Sequence, residues 1–362
     1  MKWSIRLGSV AGIDVYVHAT FTLLMAWVVL SQWVAGQSIT GTLTALAFVL
    51  SLFACVVLHE FGHALTAKKY GIRTRDITLL PIGGVARLER MPEDPIQELW
   101  VALAGPAVNV VIAALLFAGL SLSGRLEPIS EGALGEGSLL NRLMVVNVVL
   151  ALFNMLPAFP MDGGRVLRAL LATRMDYSRA TQTAASIGQG MALLFAFVGF
   201  FFNPFLIFIA LFVWIGAGQE AAMVQMKSAL GGIPLRQAMI TDFRILAPED
   251  SLDHAVELIL AGSQHDFPVV SGDEVRGILT RKDLLAALAK RQPALVGEIM
   301  QQDFQSAAPE EMLETAFRRL QECGCNTIPV LSGGRLVGMV TSENVGEFLM
   351  IQAARSSKRL SA

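Results

Sequence analysis

Apolar residues run through the first two thirds of the chain in long blocks separated by short polar links, while the last third alternates on a much shorter scale. Six of the blocks, at about 13–34, 42–67, 97–121, 139–157, 184–202 and 204–226, reach or approach the length that crosses a membrane. A hydrocarbon core about 30 Å thick needs about 20 helical residues. The pattern therefore predicts a polytopic α-helical membrane domain with six transmembrane helices. The first block is too long for the apolar region of a cleavable signal peptide, and no small-residue cleavage site follows it. Between the second and third blocks, Gly71–Arg90 is rich in β-branched residues and carries Pro81 and the Gly83-Gly84 turn, which predicts a strand pair. Its apolar character suits either a segment dipping into the membrane against protein or a cytoplasmic hairpin.

Charge orients these spans. Lys2, Arg6, Lys68, Lys69, Arg73, Arg75, Arg87 and Arg90 fall on one side, with Arg165, Arg168, Arg174 and Arg179. The links at 35–41 and 203 carry no Lys or Arg, and the loop at 122–138 sets Arg125 beside Glu127, Glu131 and Glu136. The positive-inside preference places both termini in the cytoplasm for a multi-pass membrane protein. Residues 1–226 hold 27 charged side chains, whereas the remaining 136 residues hold 31. The division predicts a membrane domain at 1–226, a linker at 227–233, a soluble domain at 234–350 and a polar tail at 351–362. A net charge of −2 leaves no basic footprint, so no nucleic-acid partner is expected.

The soluble part is a repeat. Residues 234–288 and 295–349 align at a constant offset of 61, which takes Met239 to Met300, Pro268 to Pro329, Gly277 to Gly338 and Thr280 to Thr341. After a short opening strand, each copy predicts a helix, two strands and a second helix. These elements fall at Leu252–Leu260, Phe267–Val270, Val275–Leu279 and Asp283–Ala289, then at Leu313–Leu320, Ile328–Leu331, Leu336–Val340 and Asn344–Ile351. The three cysteines form no disulfide framework, and Cys323-x-Cys325 reads as a pair of reduced thiols.

Candidate chemistry concentrates in His59-Glu60-Phe61-Gly62-His63, at the end of the second span. Histidines four apart share one helix face and can share one tetrahedral Zn²⁺. Glu60 beside them can take a proton from water that the metal acidifies. Ionisable groups at the end of so apolar a run are costly without partners. Catalytic zinc normally has three protein ligands. His18 lies near the start of the first span and reads as an interfacial residue. Asp162 is the better third ligand: it follows Pro157 and Pro160, which break the helix, and precedes Gly163 and Gly164, which permit close approach.

HEFGH inside a predicted span, AGPAVN at Ala104–Asn109 and NMLPAFPMDGGR at Asn154–Arg165 resemble the site-2 protease family of intramembrane zinc metalloproteases. The resemblance covers residues 1–226 and departs from the common pattern at Met161, where Leu is usual. It implies that His59, His63 and Asp162 hold Zn²⁺ and that Glu60 is general base and acid. It also implies that Asn154 and Asn109 position or polarise the scissile peptide. The repeat resembles a tandem CBS-domain pair, so the fold class is a six-helix membrane domain joined to a soluble α/β CBS pair. That likeness implies an adenine-nucleotide cleft, for ATP or a relative, with Thr280 near the phosphates and Asp283 on the ribose. Thr341 and Asn344 are their counterparts, Asn344 standing where Asp is usual. A homodimer through the CBS domains is a further expectation.

These readings predict a zinc metalloendopeptidase that cuts a single-span membrane protein near its cytoplasmic end, with activity modulated by adenine nucleotide. The rival is a transporter or channel gated by its CBS pair, since intramembrane ionisable residues also mark ion paths. Glu60 separates the two, because hydrolysis wants a carboxylate between helix-spaced histidines and a transport path does not.

Overall fold

The computed structural model describes residues 3–81, 83–127, 137–290 and 294–360. Lys2, Glu131 and Glu136, used above to orient the spans, lie outside the described residues, as does the end of the tail. The chain divides into two compact units, Met1–Val224 and Gln225–Ala362.

The first unit opens with a hairpin, β1 (Ser4–Val10) and β2 (Ile13–His18). Ala11 and Gly12 turn it, both at positive φ, as tight two-residue hairpin turns require. With β3 (Thr74–Leu80) and β4 (Gly83–Leu88), these strands form a sheet in the order β1-β2-β3-β4. Strand β2 runs parallel to β3, with Asp14 opposite Asp76, while the other two pairings are antiparallel. The strand pair expected in Gly71–Arg90 is present. The first predicted span is corrected: Ile13–His18 alternates, burying Ile13 and Val15, and sheet pairing takes it out of the helix. Helix α1 (Thr20–Val34) is left with 15 residues.

Helix α2 (Ile39–Lys69) begins where the Ser38 side chain accepts the Gly41 N–H, and α3 (Pro95–Leu122) begins under the matching cap of Asp94. Next come α4 (Leu139–Asn154), α5 (Asp162–Ala172), α6 (Tyr177–Phe201) and α7 (Phe205–Leu230). Among the described residues, α2, α3, α6 and α7 are long and apolar enough to cross a membrane. Helices α1 and α4, at 15 and 16 residues, fall short of the usual length. Of the six expected spans, four are thus helices of full crossing length among the described residues, and the other two are shorter apolar helices. The fourth span ends at Asn154 and not at 157, because Pro157 and Pro160 stop the helix before α5 begins.

The second unit carries the repeat. Its first copy holds α8 (Leu252–Ala261), β5 (Phe267–Ser271), β6 (Glu274–Leu279) and α9 (Arg281–Ala289). A short turn of helix, α10 (Val296–Ile299), leads to the second copy. That copy holds α11 (Leu313–Cys323), β7 (Thr327–Ser332), β8 (Arg335–Thr341) and α12 (Ser342–Leu360). The expected opening strands shrink to single bridges, Leu246 with Val269 and Ala307 with Val330. The copies also exchange pairings, Ile240 with Met339 and Gln301 with Ile278, each related to the other by the offset of 61. Asp266 and Thr327 occupy equivalent positions and hydrogen-bond to each other at 2.8 Å, so this contact lies on the pseudo-two-fold axis. Each copy has its own core, around Phe267 and Val269 in one and Ile328 and Val330 in the other. Cys323 and Cys325 are joined as a disulfide, where two reduced thiols were expected. Gly324, in the left-handed region, turns the backbone between them and brings their Cα atoms to 5.2 Å, within bonding range.

Candidate metal centre

His59 and His63 lie one turn apart on α2, and both are buried. The N-terminus of α5 delivers Asp162 to the same point, also buried. His63 Nε2 is 3.1 Å from His59 Nε2 and 3.1 Å from Asp162 Oδ2, and His59 Nε2 is 3.3 Å from that oxygen. A tetrahedral Zn²⁺ with ligands at 2.0–2.1 Å separates them by about 3.3–3.4 Å. The triangle fits the ion. Each imidazole turns its other nitrogen to an oxygen: His63 Nδ1 meets the Val101 carbonyl at 2.7 Å, and His59 Nδ1 meets Asn109 Oδ1. Those partners place the ring protons on Nδ1 and leave a lone pair on each Nε2, the arrangement usual behind metal-bound histidine. Two lone pairs and a carboxylate so close repel one another unless a cation sits among them. Among the described residues this is the cluster of His, Cys, Asp and Glu side chains arranged to hold a metal.

Glycines make the approach possible. A methyl group at Gly105 would lie 2.2 Å from His63 Nε2 and 2.7 Å from His59 Nε2, so the backbone of α3 passes directly behind the imidazoles. One at Gly62 would meet the Ala104 carbonyl oxygen at 2.6 Å, which sets how closely α2 and α3 pack. Gly163 and Gly164 press against the carbonyls of Leu156 and Ala158 in the broken segment before α5. Sequence reasoning quoted Gly105 within a motif but did not single it out. A Gly-Pro pair inside an apolar helix was the available signal.

Glu60 faces the same cleft of about 450 Å³, which Gly83–Ala86, Asn109 and Asn154 also line. Its Oε2 accepts the Ala86 N–H at 3.2 Å, and a methyl group at Gly84 would lie 2.9 Å from its Cγ. Strand β4 is thereby laid along the carboxylate. The Arg87–Asp76 ion pair ties β4 to β3, and the Asp76 carboxylate raises the Arg87 pKa above its already high ordinary value. Asn154 ends α4 on the cleft wall. Asn109, expected beside substrate, lines the same cleft and also meets His59. It is fully buried, with Oδ1 on His59 and Nδ2 donating to Asn147 Oδ1 at 2.8 Å, so its amide orients the histidine. His18 stays on β2 with Nδ1 2.8 Å from Thr20 Oγ1.

In the second unit, Thr280 caps α9. Its hydroxyl bonds Asp283 Oδ2 at 2.5 Å, and Gln301 Nε2 donates to the same oxygen at 2.8 Å. At the matching place, Thr341 Oγ1 accepts the Asn344 N–H at 3.1 Å. The two candidate nucleotide sites share a backbone form and differ in charge.

The chain matches the model of peptidase family M50 over residues 47–134 and 129–197. It matches the CBS domain model over residues 235–290 and 296–350. Zinc metalloprotease MJ0392 of Methanocaldococcus jannaschii is 31% identical over 358 residues, spanning 95% of this chain and 96% of that protein. Rip3 of Mycobacterium tuberculosis is 27% identical over 375 residues, 96% of this chain and 93% of its own length. A solved site-2 protease from Methanocaldococcus jannaschii is 39% identical across 60% of this chain and 95% of that one, with a TM-score of 0.44. The family model and the curated relatives favour a peptidase over a CBS-gated transporter. With its long apolar helices, the chain is an integral membrane protein. It belongs to peptidase family M50, the site-2 protease family of zinc metalloproteases, in the form that ends in a pair of CBS domains.

Proposed function

We propose that this protein is an intramembrane zinc metalloendopeptidase that cleaves a single-span membrane protein near its cytoplasmic end. The observation that carries the reading is the triangle of His59 Nε2, His63 Nε2 and Asp162 Oδ2 with edges of 3.1–3.3 Å and Glu60 in the same cleft. These three atoms would hold Zn²⁺, which supplies Lewis acidity toward a water molecule and a peptide carbonyl. Glu60 accepts the proton released by the attacking water and returns it to the departing amine nitrogen, as general base and then general acid. Its hydrogen bond from Ala86 fixes Oε2 and leaves Oε1 for this transfer. Asn109 and the Val101 carbonyl keep both imidazoles in the tautomer that offers Nε2. The Asn154 side-chain amide, on the cleft wall, positions the scissile carbonyl.

A helical substrate has its backbone amides already bonded and must unwind before it can be cut. Strand β4 is an edge strand of the sheet and lines the cleft, so an unwound segment adds beside it as a further strand next to Glu60. In this reading α1 and α4 complete six crossings as short spans over locally thinned bilayer, with both termini and the CBS pair in the cytoplasm. The membrane domain takes residues 1–226 and a linker at 227–233 leads to the pair. An adenine nucleotide at Thr280 and Asp283 shifts activity if it binds the two states of the enzyme unequally. The carboxylate of Asp283 suits two ribose hydroxyls.

The test is Glu60→Gln in cells carrying a tagged single-span substrate. Cleavage falls to background while zinc per chain stays at the wild-type level. Retained cleavage would remove Glu60 from this role. Equal cleavage with and without saturating ATP would remove the nucleotide from regulation.

A further inference from the structure

A buried ion cluster in the membrane unit lies outside the metal triangle. Arg168 is 1% exposed, on α5, six residues beyond Asp162. Its Nε donates to Glu98 Oε1 of α3 at 2.8 Å, Nη2 donates to the same oxygen, and Nη1 donates to Glu220 of α7. Glu98 is fully buried as well. The guanidinium also stands 5.0 Å from the ring centre of Phe159, in the broken segment before Asp162, and 4.9 Å from that of Tyr177, at the start of α6. One side chain therefore grips the helix after Asp162, the segment before it, and three helices around it.

So placed, the ion cluster costs desolvation that a well-packed apolar trio of similar volume would avoid, so stability alone does not explain it. What it does fix is position. Helix α5 is only 11 residues long; Gly163 and Gly164 press against the broken segment, and Leu167 and Leu171 pack on the apolar cluster around Phe159. Apolar packing of this kind is non-directional and does not by itself fix the first turn of the helix to a fraction of an ångström. The planar fork of arginine, bonded in two directions, fixes both rotation and translation.

We propose that Arg168, held by Glu98 and Glu220, is a positioning residue that keeps Asp162 Oδ2 at the ligand triangle. The inference rests on the zinc reading above. Groups that orient metal ligands typically change metal affinity by about 10–100-fold when removed. Arg168→Lys keeps the charge and loses the fork. The triple variant R168M/E98Q/E220Q leaves no unpaired charge in the pocket, and so remains foldable where the single Arg168→Met strands Glu98 and Glu220.

The experiment uses the full chain purified in detergent, loaded with Zn²⁺ and titrated against a chelator, with Co²⁺ spectra on the same samples. Asp162→Asn serves as the control for the ligand itself. Both Arg168 variants are expected to bind Zn²⁺ at least tenfold more weakly than wild type and to alter the Co²⁺ visible band. A merely structural residue would lower the unfolding temperature and leave affinity and band unchanged. Wild-type affinity in both variants, with Asp162→Asn defective, overturns the positioning role and spares the zinc reading. Failure of the wild type itself to bind either metal overturns both.

Discussion

The two units are built on opposite principles. In the CBS pair, nearly every element has a counterpart 61 residues away, down to the exchanged bridges and the Asp266–Thr327 contact at the axis. In the membrane unit the site is assembled from positions 59, 60, 63, 105, 109 and 162, with no second copy to compare among the described residues. Duplication makes a departure visible, as where Asn344 stands opposite Asp283. A unique site shows its requirements only through geometry, where glycines stand because nothing larger fits. Function is therefore read from difference in one unit and from constraint in the other.

The largest effect that would sharpen this contrast is on Glu60. Replacing it with Gln should lower the cleavage rate about 10²–10⁴-fold, the usual worth of a general acid–base, without loss of zinc. Rates of purified protein on a single-span substrate check it. Gly105→Ala comes next. Its methyl group would have to displace the imidazoles it would touch at 2.2 and 2.7 Å, so zinc affinity should fall about 10–100-fold, measured by chelator competition. Asn109→Ala should cost about tenfold in the same assay, because His59 loses the partner that fixes its tautomer while the ligand remains. The smallest effect lies in the duplicated unit. Asp283→Ala should weaken adenine-nucleotide binding by at least about tenfold, the worth of a hydrogen bond to a charged group, whereas Asn344→Ala should change it little. Calorimetry on the full chain distinguishes the two, and equal losses would mean that the divergence between the copies carries no function.

Much of the architecture was legible in the residues. The boundaries of α3 and the helix–strand order of both CBS copies follow from apolar block length and from the offset of 61, which are local signals. That His59, His63 and Asp162 come together was expected from the helix-spaced histidines, a local signal, and from the proline-broken, glycine-rich run around Asp162. What was not legible is non-local. Ile13–His18 reads as the start of a span because six alternating residues beside an apolar block look like part of it, whereas pairing with β1 on one side and with the distant β3 on the other draws them into the sheet. Glu98 and Glu220 lie 70 and 52 positions from Arg168, so nothing in their surroundings announces a partner. The contacts of Asn109 with His59 on α2 and Asn147 on α4 are likewise between distant positions, and nothing beside Asn109 in the sequence announces them.

Three atoms from α2 and α5 are expected to share one zinc ion. Metal analysis of the purified full-length chain tests this most directly, alongside Asp162→Asn and His63→Ala. About one zinc per wild-type chain, lost in both variants while they stay folded, is the predicted result. Absence of zinc from the wild type after incubation with the ion, or full retention in both variants, would contradict it.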